Sequence, residues 1–252
     1  MKISIFFSTV LLTLFSNSAY SASDDFSFSI GAVSWYSRYN PIKRIAGMDT
    51  PKSTYAFMNG PAIFAKYKNL YLDITYLLPS NDYDTIGLNT IVKPHHADAD
   101  SAANRTDIDV IFGYMLTPKV SMNVGYKGIF VDDNITLTSQ GVTTDGRRTE
   151  TYNVGTVGAG LHMPIGHKIM WISNVNTLLG SFHNEVAYPA NYRRLNEPVY
   201  DALAWGGSVD TKATYTIINH LSANIGLKCL YIKAGSDNSS FFGPTAGIDY
   251  SF

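Results

Sequence analysis

The sequence predicts an all-β chain that closes into an antiparallel transmembrane barrel of about ten strands. Three observations favour this fold class. Apolar and polar residues alternate with a period of two, short and long connections alternate along the chain, and aromatic residues collect at both ends of the apolar faces. No segment of comparable length has helical periodicity. Strand counts of eight and twelve remain alternatives to ten, because strand ends are the least certain part of such an assignment.

The N-terminus has the pattern of a secretory signal peptide. Lys2 precedes an apolar run over residues 3–15, and small polar residues follow. That run is shorter than the roughly 20 residues of a transmembrane helix, which makes an uncleaved anchor the weaker alternative. We expect residues 1–22 to be the signal peptide, cleaved after Ala22 or alternatively after Ser21. The remaining residues, 23–252, then form one outer-membrane β-barrel domain.

The strands follow from the alternation, which is clearest in the last two. Leu221, Ala223 and Ile225 alternate with Ser222 and Asn224. A period of two means a strand with one apolar face. The predicted strands are 25–38, 53–67, 69–78, 106–116, 119–131, 149–163, 168–181, 200–217, 220–233 and 241–252.

The connections between these strands are sorted by length. Short connections fall at 68–69, 117–118, 164–167 and 218–219, whereas longer ones cover 39–52, 79–105, 132–148, 182–199 and 234–240. Short turns at one rim and long loops at the other are typical of bacterial outer-membrane barrels, in which the short turns face the periplasm.

Aromatic residues are predicted to form two belts around an apolar band. Such belts mark the two interfaces of a bilayer. The alternative is a soluble, lipocalin-like barrel with an aromatic core. The belt at the short-turn rim would contain Phe26, Phe28, Tyr67, Tyr114, Trp171, Tyr215, Tyr250 and Phe252. The belt at the long-loop rim would contain Tyr36, Tyr55, Phe57, Tyr76, Phe130, Tyr152, Trp205, Tyr231 and Phe242.

The C-terminal segment 247–252, Gly-Ile-Asp-Tyr-Ser-Phe, resembles the terminal strand of Gram-negative outer-membrane barrel proteins, which alternates aromatic residues and ends in Phe. The resemblance is to this broad class and to no individual family. It implies an exported chain in the bacterial outer membrane, in contact with membrane lipid and lipopolysaccharide. It also implies that the barrel assembly machinery reads the C-terminal strand. We expect the barrel to be a monomer.

Composition excludes several other classes of protein. The chain has 19 basic and 20 acidic residues and a net charge of −1, which argues against a nucleic-acid partner. The single cysteine, Cys229, cannot form an internal disulfide, and no zinc-binding spacing of Cys and His is present. Gly-rich nucleotide-binding loops are absent as well, so the sequence predicts no cofactor and no metal.

Eight charged side chains, four of each sign, are predicted to point into the lumen. Matched charges in a narrow interior most simply form an ionic network that fills it, and a selectivity ring is the alternative. A wide general pore is disfavoured, because such pores need about sixteen strands. The predicted lumen charges are Lys66, Asp73, Asp109, Lys127, Asp210, Lys212, Lys228 and Asp249.

The lumen near the long loops is predicted to be apolar. Such a region would either admit a small apolar solute or form a packed barrel top. The positions in question are Leu77, Ile129, Leu178, Leu230, Ile232 and Phe241, with Val131 beside them.

All seven arginines fall in the long loops or at their rim. If that rim faces outward, the guanidinium groups would suit the phosphates of lipopolysaccharide, and ordinary solvated loop charge is the alternative. The arginines are Arg38, Arg44, Arg105, Arg147, Arg148, Arg193 and Arg194.

Two loop clusters are candidates for chemistry. Asp82 and Asp84 in one loop, with His183 and Glu185 at the start of another, resemble the acidic pair and the Asp–His pair of omptin-type outer-membrane proteases. Here, however, the histidine precedes its carboxylate, and that carboxylate is Glu. The second cluster, within residues 95–100, holds two adjacent histidines and two aspartates that would suit a divalent metal, although a solvated loop is the simpler interpretation.

These features predict a narrow channel or binding barrel for a small, possibly apolar solute. The alternatives are a non-transporting surface protein, whose loops contact lipopolysaccharide, a host or a partner, and an omptin-like hydrolase.

Overall fold

The structure is a computed structural model that describes residues 26–40, 54–82, 90–92, 97–139, 141–187, 199–235 and 237–252. The predicted signal peptide lies outside these ranges. So do Asp84 and the two histidines of the predicted metal cluster, His95 and His96, and the side chains of Asp98 and Asp100 are not described either.

Eleven strands make up the described chain. They are β1 (Phe26–Asn40), β2 (Thr54–Tyr67), β3 (Leu70–Pro79), β4 (Thr90–Val92), β5 (Ala97–Met115), β6 (Val120–Ser139), β7 (Val142–Ile165), β8 (Ile169–Ala187), β9 (Tyr200–Ile218), β10 (Leu221–Ala234) and β11 (Asp237–Ser251).

Ten of these strands close into an antiparallel barrel, which confirms the predicted fold class. Neighbours in sequence pair with each other, β3 pairs with β5, and the first strand β1 pairs with the last strand β11. Because the barrel is closed, each of its ten strands pairs with a neighbour on both sides, and the wall has no open sheet edge that would face lipid. The three-residue strand β4 pairs only with β5 and lies outside the ring.

The outer surface of the barrel is apolar. Ile225, Val157 and Val175 are 58–67% exposed, and each lies beside a polar side chain that points into the lumen, namely Asn224, Thr156 and Asn176. This distribution is the inverse of a soluble β-barrel and suits an environment of lipid tails. Within the described ranges, no helix is long or apolar enough to cross a membrane.

The strands β5 to β8 extend further than the sequence predicts beyond the aromatic belt at the long-loop rim, which we call the outer belt. Most of the predicted loop 132–148 is strand, because β6 continues to Ser139 and β7 begins at Val142. Most of the predicted loop 234–240 is strand as well, because β10 continues to Ala234 and β11 begins at Asp237, and Gly235 after β10 has a φ of +60°, a value that glycine adopts at little cost. In 132–148 the alternation continues with polar residues, among them Thr, Asp and Arg, on the outward face, which hides the strand from a search for apolar faces.

One predicted belt residue is wrong. The sequence places Tyr152 in the outer belt, at the long-loop rim. In the structure it is fully buried in the lumen, where its hydroxyl lies 3.0 Å from Ser239 Oγ. The outward face of β7 carries Val157, Leu161 and Met163 instead. The side-chain period therefore places the even-numbered residues of this strand inside.

Candidate functional site in the lumen

The lumen has two halves of different chemistry. The half nearer the long-loop rim is filled by a hydrophobic cluster that we call the upper layer. All ten barrel strands contribute to it, and every member is at most 2% exposed. The upper layer consists of Trp35, Tyr39, Ala56, Met58, Leu77, Ala103, Ile129, Val131, Tyr152, Val154, Leu178, Phe182, Ala204, Leu230, Ile232, Ala234 and Phe241.

The six positions predicted to line an apolar upper lumen all belong to this layer. Ile129, Ile232 and Phe241 have no exposed surface, and Leu77, Leu178 and Leu230 have 1–2%. Close packing of these side chains favours a packed barrel top, the alternative that the sequence leaves open beside a solute pocket.

A buried arginine is clamped within the upper layer. The guanidinium carbon of Arg105 lies 4.0 Å from the ring centroid of Phe241 and 4.8 Å from that of Trp35. Its Nε and Nη2 donate to the two carboxylate oxygens of Asp107 at 2.7 and 2.5 Å. This bidentate pairing compensates the charge where no water is available.

The stack of rings and cations continues on both sides of Arg105. Tyr39 stacks on Phe241 with the ring planes 9° apart, and Lys228 Nζ lies 5.0 Å from the Trp35 ring. Trp35 is thus contacted by two cations and separates the upper layer from the lower half of the lumen.

A second buried ion cluster involves Arg148. Its Nη2 lies 2.7 Å from Asp133 and its Nε 3.6 Å from Glu150, and the Tyr39 hydroxyl donates to Glu150 at 2.8 Å. Both Arg148 and Arg105 are at most 1% exposed.

This burial corrects the expectation that all seven arginines could reach lipopolysaccharide, because Arg105 and Arg148 point into the barrel. Arg147 does point outward, and it donates to both carboxylate oxygens of Asp132 at 2.7 and 2.5 Å. Asp132 thereby holds the pKa of Arg147 above its usual value. Arg38 is also exposed, between Tyr55 and Phe242 of the outer belt. Arg44, Arg193 and Arg194 lie outside the described residues.

The half of the lumen nearer the short-turn rim contains a polar cavity of about 300 Å³, which we call the lower cavity. Hydroxyl and amide side chains account for much of its wall. The polar and charged residues that line it are Ser29, Asp73, Thr75, Asp109, Lys127, Thr156, His162, Asn174, Asn176, Ser208, Asp210, Lys212, Thr214, Ser222, Asn224, Lys228, Thr245, Asp249 and Ser251.

Seven of the eight predicted lumen charges line this cavity, and three of them form an ion cluster. Asp109 accepts hydrogen bonds from Lys127 and, at 2.5 Å, from Lys228. Asp249 accepts from Asn224 Nδ2 at 2.8 Å. The eighth predicted charge, Lys66, is exposed near the short-turn rim and is not part of the lining.

An aromatic cluster that the sequence analysis missed lies at the cavity mouth. The Tyr71 ring centroid is 6.0 Å from that of Phe64 and 6.3 Å from the ring of His162. The Tyr71 ring lies directly over Gly113 on the neighbouring strand β5, where a Cβ atom would lie 2.1 Å from the tyrosine ring. The presence of glycine at position 113, beside an inward-pointing tyrosine, is the one sequence signal that could have indicated this contact.

The catalytic candidates are not gathered around the lumen. His183 and Asp201 are directly opposite each other on β8 and β9, and His183 Nδ1 lies 2.7 Å from Asp201 Oδ1. Both point outward, because Phe182 and Asn184 on either side of His183 are buried. Glu185 shares that outward face, Asp82 is exposed in the connection after β3, and Asp84 is outside the described residues. Sequence reasoning missed the pairing because Asp201 is on the next strand.

Comparison with solved structures shows the fold. The chain is similar to the translocator domain of the autotransporter NalP from Neisseria meningitidis, with a TM-score of 0.51 and 10% identity over 98% of this chain and 95% of that one. The outer-membrane protease OmpT from Escherichia coli gives a TM-score of 0.48 and 9% identity over 94% and 99% of the two chains. The Pseudomonas putida toluene transporter TodX gives 0.37 and 9% over 92% and 76%.

No family model matches the chain. No curated protein matches it either. The closed ten-stranded wall, the apolar outer band and the structural likeness to NalP show that the chain has the fold of an outer-membrane β-barrel.

Proposed function

We propose that the protein is a non-transporting outer-membrane barrel that anchors a rigid, strand-built surface outside the cell. The observation that carries this proposal is the upper layer. All ten strands contribute side chains with at most 2% exposure, and this packing of the described residues supports a lumen that is closed to water and ions. The narrow channel predicted from sequence would require these side chains to move apart.

The projecting surface is formed by one side of the barrel. Strands β5 to β9 have 19 to 24 residues, whereas β1, β2, β3, β10 and β11 have 10 to 15. A tilted strand needs only about 9–11 residues to cross the hydrocarbon core. The β6–β7 hairpin therefore continues well beyond the membrane, with Asp132, Asp145 and Arg147 exposed on its surface.

A planar-bilayer recording on the folded protein tests the closed lumen. We expect no discrete conductance steps from the natural protein, since ions would have to pass the upper layer. The double variant Trp35→Ala, Phe241→Ala removes the two rings that clamp Arg105 and should produce steps. Salt-dependent steps from the natural protein, with heat-modifiable gel migration as proof of folding, would contradict the proposal and favour a channel.

Shortening the β6–β7 hairpin tests the projecting surface. Replacing residues 134–147 by a two-residue turn removes the outer part of both strands, keeps the buried pair of Asp133 and Arg148, and leaves the apolar band intact. We expect the shortened barrel to fold and to lose affinity for vesicles that contain lipopolysaccharide, relative to vesicles without it. Unchanged affinity would exclude this hairpin as the contact surface.

Lipopolysaccharide is the partner that this proposal retains, through Arg38 and Arg147 in the described part of the chain. A monomer is retained as well, since one chain closes the barrel. For the C-terminal strand, we propose recognition by the barrel assembly machinery, and β11 forms the closing seam with β1. Phe252→Ala should slow insertion in a reconstituted assembly assay without changing the stability of barrels already folded.

A further inference from the structure

The lower cavity contains charged groups to which no described residue makes a hydrogen bond or ion pair. Within the described residues, Asp73, Asp210 and Lys212 line the cavity and have no hydrogen bond or ion pair to a protein atom. Lys212 is close enough to interact electrostatically with Asp73, Asp210 and Asp249, but it contacts none of them directly. An uncompensated charge inside a membrane barrel is costly, which indicates that something else compensates these groups.

Neutral polar atoms in the same wall are also without partners. Thr156 and Asn176 are only 7% and 8% exposed and both line the cavity. Among the described atoms, Thr156 Oγ1 and Asn176 Oδ1 have no hydrogen-bond partner. Trp35 Nε1, at the ceiling of the cavity, has none either. Buried polar groups in native proteins are almost always satisfied, so these atoms mark positions for a bound species.

The charge balance indicates the sign of that species. The lining contains four carboxylates and three lysine ammonium groups, and two of the lysines, Lys127 and Lys228, are held by Asp109. Asp73, Asp210 and Asp249 surround Lys212, and Lys228 also lies near Asp73 and Asp210, so the lining as a whole has one carboxylate more than it has ammonium groups. The cavity as a whole is therefore acidic and attracts a cation.

The geometry favours an organic cation over a metal ion. In the described part of the chain, no three His, Cys, Asp or Glu side chains are close enough together to hold a metal. An ammonium group with its own hydroxyl, in contrast, would donate to separate carboxylates and exchange hydrogen bonds with hydroxyl and amide groups. The volume of about 300 Å³ is at the lower end of the range for ligand pockets.

We propose that the lower cavity binds a small organic ammonium compound that carries a hydroxyl group and enters from the short-turn rim. Asp73 and Asp210 accept from the ammonium group. Thr156 and Asn176 hydrogen-bond the hydroxyl, and the Tyr71 cluster forms the wall at the mouth. The upper layer closes the other end, so the solute binds and leaves on the periplasmic side. This proposal is independent of any partner outside the cell.

Three solutes of nearly equal size test the proposal by their charge. Ethanolamine is cationic, ethylene glycol is neutral and glycolate is anionic. In saturation-transfer NMR with protein purified folded from outer membranes, we expect ethanolamine to bind at least tenfold more tightly than ethylene glycol. Glycolate should show no transfer. Equal signals from all three solutes, or none from ethanolamine, would mean that the cavity holds only water.

Variants with opposite expected effects separate binding from folding. Asp73→Asn and Asp210→Asn should each weaken ethanolamine binding at least tenfold. Lys212→Gln should tighten it several-fold, because it leaves two ammonium groups against the four carboxylates of the lining. A folding defect cannot tighten binding. Asp145→Asn, on the exposed β6–β7 hairpin, is the matched control and should leave affinity unchanged. If Lys212→Gln weakens binding or leaves it unaltered, the proposed electrostatics are wrong.

Discussion

The upper layer and the lower cavity lie in one lumen and are built by the same ten strands, yet one is a packed apolar cluster and the other is a cavity lined largely by polar side chains. In the upper layer, Ile129 and Leu230 are almost fully buried against aromatic neighbours. In the lower cavity, Asp73 and Lys212 line free volume. Side chains can therefore fill the lumen of a narrow barrel over about half of its height. The other half is left for polar chemistry.

The two regions also treat charge differently. Arg105 in the upper layer is enclosed by two rings and satisfied by one carboxylate in a bidentate geometry. In the lower cavity, Asp109 accepts hydrogen bonds from two lysines, whereas other charged groups line the cavity volume. Where packing excludes water, each charge must be paired within the protein. Where a cavity remains, pairing can be left to a solute or to water.

The largest effect is expected from Arg105→Ala. The substitution leaves Asp107 buried without its partner, and breaking a buried pair in this way costs about 3–5 kcal/mol. Equilibrium unfolding in urea from lipid vesicles, followed by tryptophan fluorescence, measures the loss. A variant with natural stability would show that water reaches Asp107 and that the upper layer is not dry.

A smaller effect is expected when a hydroxyl is exchanged with a methyl group at matched sites. Ile129→Thr places a hydroxyl in the upper layer, where an unpaired polar group costs about 1–3 kcal/mol. Thr156→Val removes a hydroxyl that has no partner in the lower cavity wall, so the free energy of unfolding should hardly change. Equal losses at both positions, measured by the same urea unfolding, would remove the distinction between the two regions.

Gly113→Ala should have an intermediate to small effect confined to the cavity mouth. The added Cβ would overlap the Tyr71 ring, which has to move and lose the hydroxyl contact to Ser121 Oγ at 3.2 Å. Such overpacking costs about 1–3 kcal/mol. Gly207→Ala is the control, because its Cβ would meet only a carbonyl oxygen at 3.4 Å. If the two variants unfold at the same urea concentration, Tyr71 does not need the glycine.

The smallest effect is expected at the exposed ion pair of Arg147 and Asp132. Both side chains are about half exposed or more, and solvent weakens such pairs. Arg147→Ala should therefore leave the unfolding midpoint in place, in contrast to Arg105→Ala. It should reduce binding to vesicles that contain lipopolysaccharide, if the outward arginines contact phosphate as proposed. A midpoint shift as large as that of Arg105→Ala would show that exposure does not separate the two arginines.

Much of the fold could be read from the sequence because lipid imposes a strict rule on each strand. Residues 221–225 alternate between lipid and lumen in the structure as their pattern predicts, and the C-terminal strand closes the barrel. The pattern failed where the outer environment changes. Above the membrane, the outward face of 132–148 is polar, so the alternation of apolar residues that reveals a strand is lost although the strand continues.

The lumen was predictable in composition but not in arrangement. Alternation places Asp73, Asp109 and Lys228 inside, and the structure has them around one cavity. It cannot show that Lys228 is shared between Asp109 and the Trp35 ring, or that Arg105 belongs to a barrel interior and not to a loop. Those contacts depend on the stagger between strands that are far apart in sequence.

By itself, the sequence determined that the chain is a β-barrel with an apolar outer band and a C-terminal strand of the outer-membrane type, because these follow from local alternation. The tertiary structure decided that the half of the lumen near the long-loop rim is packed and that the other half contains a cavity. Closure depends on which inward side chains meet across the barrel, and strand pairing and stagger set that at a distance no local pattern can specify.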